Sequence, residues 1–295
     1  MESAAVHDGG DRERGATLYV VATPIGNLRD ISLRALDVLK SADAVAAEDT
    51  RVTSQLLSHY GIARRLIAVH EHNEKRAARQ ILGLLAEGRS VALVTDAGTP
   101  AISDPGALLV SAVRDAGYRV TPIPGANAAI AALSASGFTA PRFLFCGFLP
   151  ARPGERKRAL AALAAVPYTL VFYEAPHRVI AALDDLYAAL GGGRRIVVAR
   201  ELTKLFETIH ACPLAEAAAW MAENPDRRRG EFVLIVEGAA APAADPGAAK
   251  RILQALLGEL PLSRAVELAA KIGGAKKNAL YQMALEMKKS PHRGR

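Results

Sequence analysis

The densest set of ligand-binding groups in the chain is the run DAGTPAISDPG at 96–106, where eleven residues hold two Gly, two Pro, two Asp, one Ser and one Thr. That exceeds what a simple turn requires. A loop of this composition can present backbone N–H and C=O groups together with carboxylates to a small polar molecule. TPIGNLRD (23–30) has Pro24 and Gly26 to keep a turn compact, and Asp30 is a candidate cap for the helix that follows. Its spacing matches neither a dinucleotide fingerprint nor a Walker loop, which counts against NAD and ATP. PGANAA (124–129) offers Asn127 for hydrogen bonding. Further polar clusters are EDTRVT (48–53), HEHNE (70–74), YEAPHR (173–178) and ARELTKLFE (199–207). HEHNE lacks the i,i+4 histidine pair and cysteine partners of familiar zinc sites, so no metal is expected, and Asn73 reads as a helix cap.

These segments follow short apolar runs that read as strands: 18–23, 43–48, 66–70, 90–96 and 119–123. The runs are apolar almost throughout rather than alternating, as in strands covered on both faces of a mainly parallel sheet. Helices are expected near 31–40, 51–59, 73–87, 105–116 and 126–136, giving a βαβ series and an α/β domain over 17–138. In such a sheet the ligand lies beyond the carboxyl ends of the strands, where the polar loops stand. After a Gly/Pro-containing linker at 136–143, a second α/β domain over 139–240 has strand runs at 143–148, 168–174, 195–201 and 231–238, with helices at 154–165, 176–190 and 213–223. Its strand ends bring Glu174, His177, Arg178, Glu201 and Lys204 toward the same face. Each of these alone would also serve in a structural ion pair.

Of the 295 residues, 51% are hydrophobic, so the chain folds, and no apolar run reaches the roughly 20 residues of a membrane-spanning helix. The polar start, residues 1–16, reads as a disordered arm without the apolar stretch of a secretory signal. Cys146 and Cys212 stand alone, consistent with reduced thiols in the cytoplasm. Net charge is +7, and positions 245–295 hold ten Lys/Arg against four Asp/Glu, an excess of six. A basic tail of short helices, with Pro261 at a start, Gly273-Gly274 at a stop, and Leu280, Met283, Ala284 and Met287 at helical spacing, suggests a helix-turn-helix suited to a polyanion.

Taken in order, ATPIGNLRDIS, AEDTR, HEHNE, DAGTPAISDPG, PGANAAIAALSASG, FLFCGFLP, FYEAPHR and ARELTK resemble the tetrapyrrole-methylase-like superfamily, and within it the bacterial 16S rRNA (cytidine-2′-O)-methyltransferase I family. The resemblance runs from about Thr17 to Gly238 and continues in the tail. It implies a two-domain tetrapyrrole-methylase-like α/β fold with a C-terminal helical appendage, and S-adenosylmethionine bound in the cleft. It also implies methyl transfer to the 2′-hydroxyl of a decoding-centre cytidine, cytidine 1402, of 16S rRNA in the 30S subunit, by a cytoplasmic homodimer. By position, the cofactor-binding residues it implies are Pro24, Asp96, Gly98, Thr99, Ile102, Ser103, Asn127, Ala128, Arg200 and Glu201. A ribose hydroxyl is a weak nucleophile, so a carboxylate or histidine could accept its proton and a cation could stabilise the alkoxide. The candidates are Glu48, Asp49, Arg51, Glu174 and His177.

Two other readings compete. A corrin- or porphyrin-precursor methyltransferase would share fold and cofactor, but the basic tail and the EDTR, HEHNE and EAPHR clusters count against it. A non-catalytic rRNA-binding assembly factor is opposed by the intact DAGTPAISDPG loop.

Overall fold

A computed structural model of the chain describes residues 15–70, 72–240, 246–273 and 275–289, so the start of the expected N-terminal arm, Glu71 of HEHNE and most of the linker at 239–247 lie outside the described residues. The described residues fall into two compact units, one ending at Ala239 and the other starting at Ala240.

Strands β1 (Thr17–Val21), β2 (Ala44–Ala47), β3 (Arg65–Ala68), β4 (Val91–Val94) and β5 (Arg119–Ile123) form a wholly parallel sheet in the order β3-β2-β4-β1-β5. Every residue of β2 and β4 is buried, as their unbroken apolar sequences require of strands with helices on both faces. Helices α1 (Leu33–Ser41) and α2 (Thr50–His59) border a core containing Leu39, Val45, Leu57 and Val94, while α3 (Glu74–Ala86) and α4 (Ala107–Asp115) border one containing Ile81, Leu85, Leu93 and Leu109. From β1 the chain crosses to β2 on one side, and from β4 it crosses to β5 on the other. The loops after β1 and β4 therefore diverge and leave a crevice between them.

Two expected caps differ in the structure. Asp30 ends a short 3-10 turn, Leu28–Asp30, and the extended residue Ile31 separates it from α1, so the cap is Ser32, whose Oγ accepts from the Ala35 amide. Asn73 precedes α3 but leaves its amides uncapped. Its Oδ1 accepts from the His70 amide at 2.9 Å and its Nδ2 donates to the Ala68 carbonyl at 3.0 Å, folding the turn back on the end of β3.

The second sheet contains β6 (Phe143–Phe148), β7 (Thr169–Glu174), β8 (Arg195–Arg200), β9 (Thr208–Pro213) and β10 (Phe232–Val236), in the order β6-β7-β10-β8-β9. Only β6 and β7 run parallel; β10 pairs antiparallel with both β7 and β8, and β9 antiparallel with β8. The sequence reading has no strand at 208–213. TIHACP is half polar and lies at the sheet edge with exposed positions, so it lacks the apolar run that marks the inner strands. One face of this sheet packs on α6 (Pro153–Leu163), α7 (Val179–Leu190) and α8 (Leu214–Ala222). The other face, through Val171, Val197, Val233 and Ile235, packs on Ile25 and on Ala129 and Ala132 of α5 (Ala128–Ala135), which sets the second sheet against the crevice of the first.

The second unit contains α9 (Pro246–Glu259), α10 (Leu262–Gly273) and α11 (Lys277–Lys289) around Leu253, Ala265, Val266, Ala269, Leu280 and Ala284. The expected spacing holds: Leu280 and Ala284 are buried, with Met283 and Met287 packed beside them. Among the described residues no helix is long and apolar enough to cross a membrane.

Candidate functional site

The loops after β1 and β4 are joined just beyond the strands. The Thr23 amide donates to the Gly98 carbonyl at 2.9 Å, the Gly98 amide returns a bond at 3.1 Å, and Thr23 Oγ1 donates to the Thr95 carbonyl at 3.1 Å. Beyond Gly98 the loop winds tightly, with Ala101 and Ser103 both at a φ of 66°, a left-handed conformation that costs energy for residues with a Cβ. Thr99 Oγ1 donates to the Ala126 carbonyl at 3.1 Å, tying this loop to the turn after β5. Its far end is held from α3: Glu74, buried, accepts the Gly106 and Leu109 amides through Oε1, each at 3.0 Å. Gly125 lies so close to β1 that a Cβ there would fall 2.9 Å from that of Ala22. Asn127 caps α5 by accepting the Ile130 amide.

These loops and the second sheet enclose a cavity of about 440 Å³. Asp96, Gly98, Thr99, Ile102, Ser103, Asn127 and Ala128 line it, as do Glu48 and Glu174; the second sheet and its loops add Phe148, Tyr173, Leu202 and Val233. A second cavity of about 370 Å³ adjoins it and includes Pro24. Asp49, Arg51, His177, Arg200 and Glu201 line neither. Asp49 and Arg51 pair with each other at 2.6 Å, and His177 is exposed. Arg200 is buried with its guanidinium turned to the Arg229 and Phe206 carbonyls, at 2.6 and 3.2 Å. Glu201 accepts Lys204 Nζ at 2.9 Å and the Glu231 amide at 3.0 Å.

The larger cavity is electronegative. Burial, with the Glu48 charge adding to it, pushes the Asp104 carboxyl up to about 6, and burial also raises that of Asp96. By contrast, hydrogen bonds from Arg51 hold Asp49 down at about 2. Glu174 Oε1 is bonded by the Ala175 amide and Arg178, whereas its buried Oε2 has no partner among the described residues. Carboxylates facing the aromatic rings of Phe148 and Tyr173 and the side chains of Ile102, Leu202 and Val233 suit a small cation carrying a flat heterocycle.

Residues 17–218 match the family model of the tetrapyrrole (corrin/porphyrin) methylases, and residues 243–288 match that of the RsmI C-terminal HTH domain. The chain is 54% identical over 281 residues to the "Ribosomal RNA small subunit methyltransferase I" of Escherichia coli O157:H7, covering 95% of this chain and 98% of that one. It is 52% identical over 273 residues to the protein of that name from Pseudomonas aeruginosa, covering 92% and 97%. The chain belongs to the tetrapyrrole (corrin/porphyrin) methylase family. The fold is shared with solved structures: the methyltransferase CobJ superimposes with a TM-score of 0.57 at 22% identity, over 76% of this chain and 95% of that one. Uroporphyrin-III C-methyl transferase from Thermus thermophilus, solved with S-adenyl homocysteine, gives 0.54 at 21% identity, over 75% and 97%.

Within this family member, sequence reasoning passes over Asp104, Phe148, Tyr173, Leu202 and Val233. Asp104 is the second aspartate of the Gly/Pro-rich loop at 96–106, and Tyr173 adjoins Glu174 in the YEAPHR cluster, so both are within its reach. Leu202 and Val233 look like core residues, and only the packing of the second sheet brings them to the cavity.

Proposed function

We propose that this protein transfers a methyl group from S-adenosylmethionine to the ribose 2′-hydroxyl of a cytidine, cytidine 1402, in the 16S rRNA of the 30S subunit. As a member of the methylase family it is an S-adenosylmethionine-dependent methyltransferase. The observation that carries the RNA assignment is the likeness, 54% over nearly the full length of both chains, to a protein named for small-subunit ribosomal RNA methylation. The match of the tail to a helix-turn-helix family, together with its basic excess, supports a polyanionic acceptor.

The larger cavity fits the cofactor. Asp96, Asp104 and the unpartnered Oε2 of Glu174 offer negative charge to a sulfonium and an ammonium, and the apolar and aromatic walls offer burial to an adenine. When bound, the cofactor supplies a methyl group already activated on positive sulphur, so the protein has mainly to position and desolvate. Gly98, Thr99, Ile102, Ser103, Asn127 and Ala128 form the cradle, and Pro24 shapes the adjoining wall. Arg200 and Glu201 act at one remove, by holding the Leu202 turn. Glu48 and Glu174 make up the polar wall beside the reacting hydroxyl, whereas Asp49, Arg51 and His177, which line neither cavity, act at one remove.

A homodimer belongs to the same proposal and is supported by the exposed apolar residues Leu205 and Phe206 just before edge strand β9 and Ile209 within it, as is work in the cytoplasm, where ribosomes are found. Transfer of labelled methyl to 30S subunits lacking the modification, followed by digestion to nucleosides, tests the function. Label in a 2′-O-methylated cytidine supports it. Label on a base, or transfer only to a tetrapyrrole precursor, refutes it.

A further inference from the structure

The two cavities share a wall. Ile25, Asp96, Ala97 and Glu231 line both. A group passing from a donor in one to an acceptor in the other crosses that wall, so a base acting at the moment of transfer must stand on it. Two of the four shared residues are ionisable. Glu231 is committed elsewhere: its Oε2 accepts Lys204 Nζ at 2.8 Å, and its side chain is 74% exposed. Asp96 is fixed and still available. Its Oδ1 accepts the Asp49 amide at 3.0 Å, and its other oxygen has no hydrogen-bond partner among the described residues. The remaining carboxylates are placed less well. Glu48, which accepts Thr95 Oγ1 at 2.5 Å, and Glu174, which holds Arg178, line only the first cavity.

We propose that the second cavity seats the acceptor nucleoside and that Asp96 is the base that takes its hydroxyl proton. This rests on the function proposed above and names the acceptor subsite and the residue within it. The fittings suit a nucleoside: Gln55 can both donate to and accept from a base edge, Val52 and Leu56 offer apolar contact, and Lys204 is a cation held in place by Glu201 and Glu231. In the step itself the hydroxyl proton passes to the Asp96 carboxylate and the ribose oxygen bonds to the methyl carbon. The carbon–sulphur bond breaks with its electron pair left on sulphur, and Asp96 later returns its proton to water.

The groups facing Asp96 are Glu48 and Asp49 at the end of β2, Arg51 on α2, Asp104 in its own loop, and Lys204 and Glu231 across the cavity. Burial raises its carboxyl, with Glu48 and Asp49 adding and Arg51 and the Asp49 amide opposing, which brings it nearer the range in which a carboxylate serves as a base.

The test uses the full chain, unmodified 30S subunits in single-turnover transfer, and S-adenosylhomocysteine binding by calorimetry. Asp96→Asn should lower the transfer rate by about 100-fold or more and abolish the acidic limb of the pH–rate profile. Its affinity for S-adenosylhomocysteine, to which Asp96 adds charge from the shared wall, should fall by no more than about tenfold, well short of the loss in rate, and Asp96→Glu should restore part of the rate. Gln55→Trp, at an exposed position, should raise the KM for 30S subunits and leave calorimetric binding unchanged. The proposal is overturned if Asp96→Asn loses cofactor affinity in step with rate, if it keeps the wild-type rate and pH profile, or if Gln55→Trp weakens the cofactor and spares KM. Wild-type ribose labelling with an unimpaired Asp96→Asn removes this assignment alone, whereas the absence of ribose labelling by wild type removes the function and this assignment together.

Discussion

Replacing Glu74 by alanine should unsettle the ligand loop from a position outside either cavity. Its Oε1 accepts the amides of Gly106 and Leu109 at 3.0 Å each, where the loop enters α4, and the side chain is buried. Without it, two buried donors at a helix N-terminus lose their acceptor along with a charge that favours that end of the helix. Hydrogen bonds to a charged group contribute about 1.5–3 kcal/mol each, and the two share one oxygen, so a joint loss of about 2–4 kcal/mol is expected. At roughly 2–4 °C per kcal/mol for a unit of this size, the melting temperature should fall by about 5–15 °C. Glu74→Gln keeps an acceptor oxygen and should lose less than half as much. Differential scanning calorimetry with and without S-adenosylhomocysteine measures both effects, and the alanine variant should also bind the ligand more weakly, because the loop's far anchor is gone. A fall of under about 1 °C, or equal losses for the two variants, would refute the reasoning.

Asp104 sets a pH dependence. Its carboxyl is raised to about 6, so the fold favours the neutral form; the associated stability is fully present below the unfolded value near 3.8 and is lost as pH rises through about 6. Asp104→Asn should therefore melt higher than wild type at about pH 7.5, match it near pH 4, and bind S-adenosylhomocysteine more weakly at the higher pH; a lower melting temperature at pH 7.5 would contradict this. Gly125→Val should sharply weaken cofactor binding, because its side chain would collide with Ala22, and unchanged affinity would show that the turn can move away. Deleting 240–295 should weaken 30S binding and flatten its dependence on salt, by roughly 0.7–0.9 in log–log slope for each phosphate that the tail no longer neutralises, with cofactor affinity retained; an unchanged slope would exclude the tail from RNA binding.

The parallel strands were legible because a strand covered on both faces must be apolar at nearly every position, as β2 and β4 are. β9 was not, since an edge strand needs no such run and TIHACP has none. The loop at 96–106 could be recognised from composition alone, because its glycines and prolines encode an unusual backbone path. The roles of single charges could not. Glu74 belongs to a cluster that suggested ligand chemistry, yet it anchors a loop 32 residues away in sequence. Arg200 stands at a strand end like its neighbours, but its guanidinium turns to the carbonyls of Arg229 and Phe206, a choice fixed by residues from two other segments. Which partner a charged side chain takes depends on tertiary neighbours, and periodicity carries no record of them.

The most direct measurement compares transfer of labelled methyl to 30S subunits reconstituted with cytidine at the target position and to subunits carrying 2′-deoxycytidine there. Transfer to the ribose form alone, with the label recovered as 2′-O-methylcytidine, is the expected result. Equal labelling of the deoxy form would place the methyl group somewhere other than the 2′-oxygen and would contradict the proposed reaction.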